Sequence, residues 1–158
     1  LNRQSRWQDF LQRGACDKGG FKQEFHMSNA VLTLLGRILL AAVFIPAGLQ
    51  KLGGIEGVIG YIASAGLPAP MLLAWAATIF EIVAGVAVLI GFQTKWAALA
   101  LAAFCVFTGF VFHFAAATGD AAQIQMIMFF KNLGLAGGFL VLAAQGPGAL
   151  SVDAKRGA

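Results

Sequence analysis

Four apolar runs, each close to the length of a membrane crossing, follow one another along the chain at about 31–52, 71–92, 96–117 and 124–144. A hydrocarbon core of about 30 Å needs about 20 residues of helix, so each run predicts a transmembrane helix. The links at Gln93-Thr94-Lys95 and Thr118–Gln123 are short, which makes successive helices antiparallel neighbours. The link over 53–70 is longer, rich in glycine and closes with Gly66-Leu67-Pro68-Ala69-Pro70, the composition of a loop. Within the runs, the polar and small positions recur at helical spacing. In the first span, Arg37, Ala41, Phe44, Gly48 and Lys51 share a face, and in the second Ala74, Thr78, Glu81, Gly85 and Val88 do. Both faces are predicted to turn away from lipid. Pro46 lies within the first stripe and leaves one backbone carbonyl without its helical donor.

Composition agrees with the pattern. The chain is 59% hydrophobic and 11% charged, with a mean hydropathy of +0.78, against about 25% charged residues in soluble domains. The fold class is therefore all-α: a polytopic membrane protein with a four-transmembrane-helix antiparallel bundle. Its net charge of +4 does not indicate nucleic-acid binding, because the basic residues sit at the termini and in the Lys95 link rather than on one folded face. That placement, with Lys155 and Arg156 at the end of the chain, puts both termini in the cytoplasm. Lys51 at the outer end of the first span is the exception, free to snorkel to the interface or to pair within the bundle.

Three segments follow: a polar N-terminal tail over 1–27, a membrane domain over 28–145, and a cytoplasmic C-terminal tail over 146–158. The first 26 residues have neither a signal-peptide core nor helical periodicity. They read as a disordered tail or an upstream-translated extension, with Met27 the natural start. Cys16 and Cys105 lie in a polar tail and an apolar span, so neither disulfide nor zinc site is expected. His113 and His26 cannot together ligate a haem, because one lies in a span and the other in a tail.

The candidate chemistry centres on Glu81. A charge at the bilayer centre costs about 2.5–3.5 kcal/mol on insertion scales and marks a functional site whose partner must be found. Counting 1.5 Å per residue from the helix ends places Glu81 about 15 Å deep and Lys131 about 10 Å deep, with Asn132 beside it. Lys131 is thus the expected counter-ion and Arg37 the runner-up. Two roles remain open: a clasp that pins helix order, or a polar pocket facing the outer leaflet. In the pocket, Glu81 and Lys131 do the chemistry while His113, Asn132, Lys51 and Arg37 contact a ligand. Phe104, Phe107, Phe110, Phe112 and Phe114 cover several faces of the third span and read as packing and lipid surface. Gly134-x-x-x-Gly138 predicts a close helix contact, within the bundle or between copies in a homo-oligomer.

Several of these residues together resemble the DoxX family of small bacterial inner-membrane proteins. They are Gly36-Arg37, Phe44, Gly48 and Gln50-Lys51-Leu52 in the first span, and Glu81, Gly85 and Gly91 in the second. His113-Phe114 ends the third, and Lys131-Asn132 precedes Gly137-Gly138 in the fourth. The likeness spans Ser28 to Ala144. It implies a multi-pass protein of the bacterial inner membrane, some of whose relatives are subunits of thiosulfate- or quinone-linked oxidoreductase systems. The sequence carries no metal cluster or nucleotide motif, so redox chemistry here requires a diffusible quinone or a soluble or membrane partner subunit. A small transporter or proton-permeability protein, and a scaffold held by a Glu81–Lys131 clasp, are the alternatives.

Overall fold

The computed structural model describes residues 18–157, with side chains from residue 29 onward. Six α-helices are present among them: α1 Lys18–Gly53, α2 Ile55–Ser64, α3 Pro70–Ile90, α4 Thr94–Thr108, α5 Ala122–Gln145 and α6 Val152–Arg156. A π-helical turn, Gly109–Phe114, continues α4. Four stretches are long and apolar enough to cross a membrane: Asn29–Gly53, Pro70–Ile90, Thr94–Phe114 and Gly119–Gln145. These coincide with the four predicted spans. Their outer surface is that of a lipid-facing protein, with Leu39 71% exposed and Leu72 68% exposed.

The two predicted inward stripes are the buried faces. Arg37, Ala41, Phe44 and Gly48 are buried on α1, with Lys51 half-buried, and all five stripe residues of α3 are buried. Because lipid is as apolar as the side chains, helix association rests on close packing and internal polar contacts. Small residues supply the closeness. A Cβ on Gly48 would meet the Ile82 side chain and, at 3.2 Å, the Thr78 carbonyl; one on Gly85 would meet Ile45 and Phe44. These contacts set the antiparallel register of α1 against α3.

The apolar core fills the half of the bundle nearest the termini. Phe44, Val88, Leu101, Ala136, Phe139 and Leu142 are among its buried members, and the Phe44 and Phe139 rings meet edge-on with centroids 5.4 Å apart. Gly138 faces Leu40 of α1, whereas Gly134 and Gly137 have open space where a Cβ would stand. Only Gly138 of the predicted pair therefore makes a close contact inside the bundle.

Three features depart from the sequence expectations. The 53–70 link contains α2, packed along α3; Ile55, Val58, Ile59 and Ile62 give it one apolar face despite Gly57 and Gly60. The helix of the first span extends back to Lys18, so residues 18–26 are helical rather than a disordered tail, while residues 1–17 lie outside the described residues. The C-terminal segment is not a free tail. Its residues 147–153 fold back under the inner ends of α1, α3 and α4.

That fold-back satisfies polar groups from three helices. Arg37, buried on α1, donates from Nη1 to the Pro147 carbonyl at 2.9 Å and from Nη2 to the Leu150 carbonyl at 2.6 Å. Gly91 ends α3 in the left-handed region at φ 70°, and a side chain there would collide with Arg37 and Ser151. Asp153 caps α4 from outside: its carboxylate accepts from the Gln93 and Thr94 backbone N–H groups at 2.8 and 2.9 Å and from the Thr94 hydroxyl at 2.8 Å. Two of the helix's orphan donors are thereby paired. Burial acts to raise the Asp153 carboxyl, but the bonds from Thr94 and Gln93, with Arg156 nearby, outweigh it and hold the group below the usual carboxylate range.

Two outcomes follow. Gly48→Leu forces α1 away from α3 at an overpacking cost of about 1–3 kcal/mol, to be read as a fall in membrane abundance and in Tm of the purified protein. Asp153→Asn removes a charged cap and costs about 1–2 kcal/mol near neutral pH. A depressed folded-state value stabilises above the ordinary Asp pKa of about 3.9 and is lost as pH falls through the lower folded value. The difference in Tm between Asp153→Asn and the parent therefore closes as unfolding is followed from pH 7 into that acid range.

Candidate functional site

The half of the bundle away from the termini is not filled. Between α1, α2, α3, the α4–π segment and α5 lies a cavity of about 660 Å³. Most of its wall is apolar and aromatic, with Phe80 and Phe104 in contact at a centroid separation of 5.2 Å. Its polar members are Lys51, Glu81, Thr108, His113, Lys131 and Asn132, together with the hydroxyl of Tyr61. The volume expected between Glu81, His113 and Lys131 is thus open, although Phe104, Phe107 and Phe112 of the predicted packing surface stand in its wall.

Glu81 is buried midway along α3, and both of its carboxylate oxygens accept from Lys51 Nζ at 2.5 Å. Lys51 is its counter-ion, which corrects the expectation of Lys131 or Arg37. Depth counted from helix ends holds only where the helices end flush. The Gly48 and Gly85 contacts instead set Gly53 level with the second turn of α3, so Pro70 stands about 10 Å beyond it at 1.5 Å per residue. Residues of α2 and its link fill the difference. Lys51 is then shallow relative to its own helix end and still level with Glu81.

Lys131 faces the same cavity without joining the pair. Among the described residues its hydrogen-bond partner is the Met128 sulfur at 3.2 Å, and the Lys51–Glu81 contact is the only ion pair. Arg37 lies at the other end of the bundle on the carbonyls of Pro147 and Leu150, outside the cavity wall. Asn132 lies in the wall one residue from Lys131.

The π turn presents His113. A π-helical turn widens the ring of backbone bonds and recurs at functional sites. Here the Ala115 N–H donates to the Phe110 carbonyl. His113 Nδ1 lies 2.8 Å from Gln125 Oε1; with the carbonyl oxygen of Gln125 in that position the ring nitrogen is the donor, and Nε2, an acceptor, has no partner among the described residues. Tyr61 of α2 stacks on Phe112 with centroids 5.3 Å apart and donates its hydroxyl to the Phe112 carbonyl at 3.3 Å. α2 is thereby fastened across the outer end of the cavity. Neither Gln125 nor Tyr61 stood out in the sequence. Gln125, four residues before Phe129 on the fourth span, carried the only signal, a polar group where an apolar one was affordable.

Fold and site together define an integral membrane four-helix bundle with an internal, mixed aromatic and basic cavity. Residues 32–114 match the DoxX family, and the chain belongs to it. It is 38% identical over 133 residues to the inner membrane protein YphA of Escherichia coli (strain K12), covering 84% of this chain and 95% of that one. It is 42% identical over 120 residues to the inner membrane protein YqjF of the same organism, covering 76% of this chain and 88% of that one. No solved structure matches it significantly. The protein is a multi-pass protein of the inner membrane.

The Lys51–Glu81 contact has a direct test. Removing one partner of a buried pair costs about 3–5 kcal/mol, whereas replacing both is often neutral; Lys51 keeps 30% of its side chain exposed, which places the cost here at the low end. Glu81→Leu is expected to lower Tm and abundance, and Lys51→Leu combined with Glu81→Leu to recover most of the loss. A double variant no more stable than Glu81→Leu would show that the two residues are not energetically coupled.

Proposed function

We propose that this protein is a membrane subunit of a redox system, and that its cavity docks the head group of a lipid-soluble quinone. The observation that carries the proposal is a cavity of about 660 Å³ with aromatic walls and convergent hydrogen-bond donors, within the 300–1,000 Å³ typical of small-molecule sites. A quinone head group is a planar ring with carbonyl acceptors and an apolar tail. Phe80 and Phe104 offer faces for the ring, and the Lys131 ammonium and the Asn132 amide offer donors for its oxygens. The tail leaves through the lipid-facing side, where Val43, Leu73 and Phe107 are both exposed and part of the wall.

When bound, the quinone supplies reversible two-electron, two-proton chemistry; the chain supplies position and protons. Glu81 has both oxygens on Lys51, so its work is to hold that ammonium in the wall and to join α1 to α3. His113 Nε2 takes the proton-handling role, with Gln125 fixing the ring through Nδ1. Electrons come from a partner subunit or from a small thiol or thiosulfate-type donor.

The protein purified in mild detergent from quinone-containing bacterial membranes should carry quinone into an organic extract at up to about one molecule per chain. His113→Ala and Asn132→Leu should each lower that yield severalfold, while Lys95→Ala leaves it unchanged. A yield no higher than that of an unrelated membrane protein refutes the proposal.

A further inference from the structure

The charges in the cavity wall do not cancel. Lys51 and Lys131 stand against the one carboxylate, Glu81, which leaves a positive charge in excess with His113 neutral. The excess is localised, because Lys51 is committed to both Glu81 oxygens whereas Lys131 has only a thioether partner among the described residues. An ammonium next to apolar wall, at the depth of a membrane span, is costly until an anion or strong acceptor reaches it. Glu56 and Asp120, the other carboxylates of the links, are absent from the wall.

We infer that the site prefers an anionic ring compound, one bearing an ionised oxygen on an apolar, planar body, and that Lys131 is the residue that selects the charge. The inference rests on the quinone-docking proposal for the location of the ligand and adds its charge. The aromatic faces around the cavity accept the ring in either form. Lys131 alone distinguishes the forms, by a charge-assisted bond to the anionic oxygen that a neutral carbonyl returns only weakly. The Asn132 amide N–H serves both. Lys131 is thus a specificity residue, distinct in role from Lys51, which organises the wall through Glu81.

The probes are 1,4-naphthoquinone and 2-hydroxy-1,4-naphthoquinone, nearly equal in shape, the second ionised at neutral pH. Binding to the full chain in lipid nanodiscs is read by quenching of intrinsic tryptophan fluorescence. The ionised compound is expected to bind about tenfold more tightly or better, the scale of one close charge pair. Lys131→Met should erase the difference, weakening the ionised compound about tenfold or more and the neutral one far less, and Lys131→Arg should keep it. Equal binding of the two probes by the parent protein overturns the charge inference and leaves quinone docking standing. Binding of the anion alone supports the charge inference and removes the quinone proposal, and binding of neither removes both. Retention of the preference in Lys131→Met, with Lys131→Arg confirming a folded protein, overturns the assignment to Lys131.

Discussion

How closely α1 approaches α3 decides what the rest of the bundle can be. Gly48 and Gly85 remove the side chains that would hold the two helices apart, and the resulting register, not the helix ends, brings Lys51 level with Glu81. Without that pairing the carboxylate would face an apolar interior with no cation in reach. With it, the polar wall of the cavity is assembled on two helices in close contact at Gly48 and Gly85. The site is therefore as rigid as the α1–α3 contact, and the ligand-facing groups on α4 and α5 are added to a fixed wall.

The two halves of the bundle divide the work. The inner half is filled by Phe44, Phe139 and small or aliphatic residues from four helices, and is closed below by the C-terminal segment. The outer half keeps a cavity because α2 and the π turn stand across its end instead of entering it. In the inner half, Arg37 has two carbonyls and Asp153 three donors within the chain, and of the guanidinium only the buried Nε goes without an acceptor among the described residues. In the outer half, among the described residues, Lys131 has only the Met128 sulfur and His113 only Gln125 as hydrogen-bond partners.

Much of this was legible in the sequence, and what was not has a common cause. The four spans and both buried stripes follow from composition and from a period of 3.6, properties local to one helix. The convergence of Glu81, His113, Lys131 and Asn132 on one volume also follows, because alternate helices run antiparallel. The choice of Lys51 over Lys131 does not follow from depth, since depth presumes flush helix ends, and the α2 insertion shifts them. α2 itself was hidden by Gly57 and Gly60 in a segment too short to signal a span, although Ile55, Val58, Ile59 and Ile62 mark its apolar face. The roles of Asp153 and Arg37 depend on a chain reversal across the bundle, which no periodicity encodes.

The fastening of Arg37 by Pro147 and Leu150 also sets an order of events in time. Its partners lie 110 and 113 residues further along the chain. At about 5–20 residues per second of synthesis, roughly 6–20 s separate the appearance of the guanidinium from that of the carbonyls that receive it. Through that interval the guanidinium lacks those acceptors, and the cost of an unpaired charge in hydrocarbon keeps it with interfacial water. Residues 147–150 then complete the inner end of the bundle, so full burial of Arg37 reports that synthesis has passed Leu150.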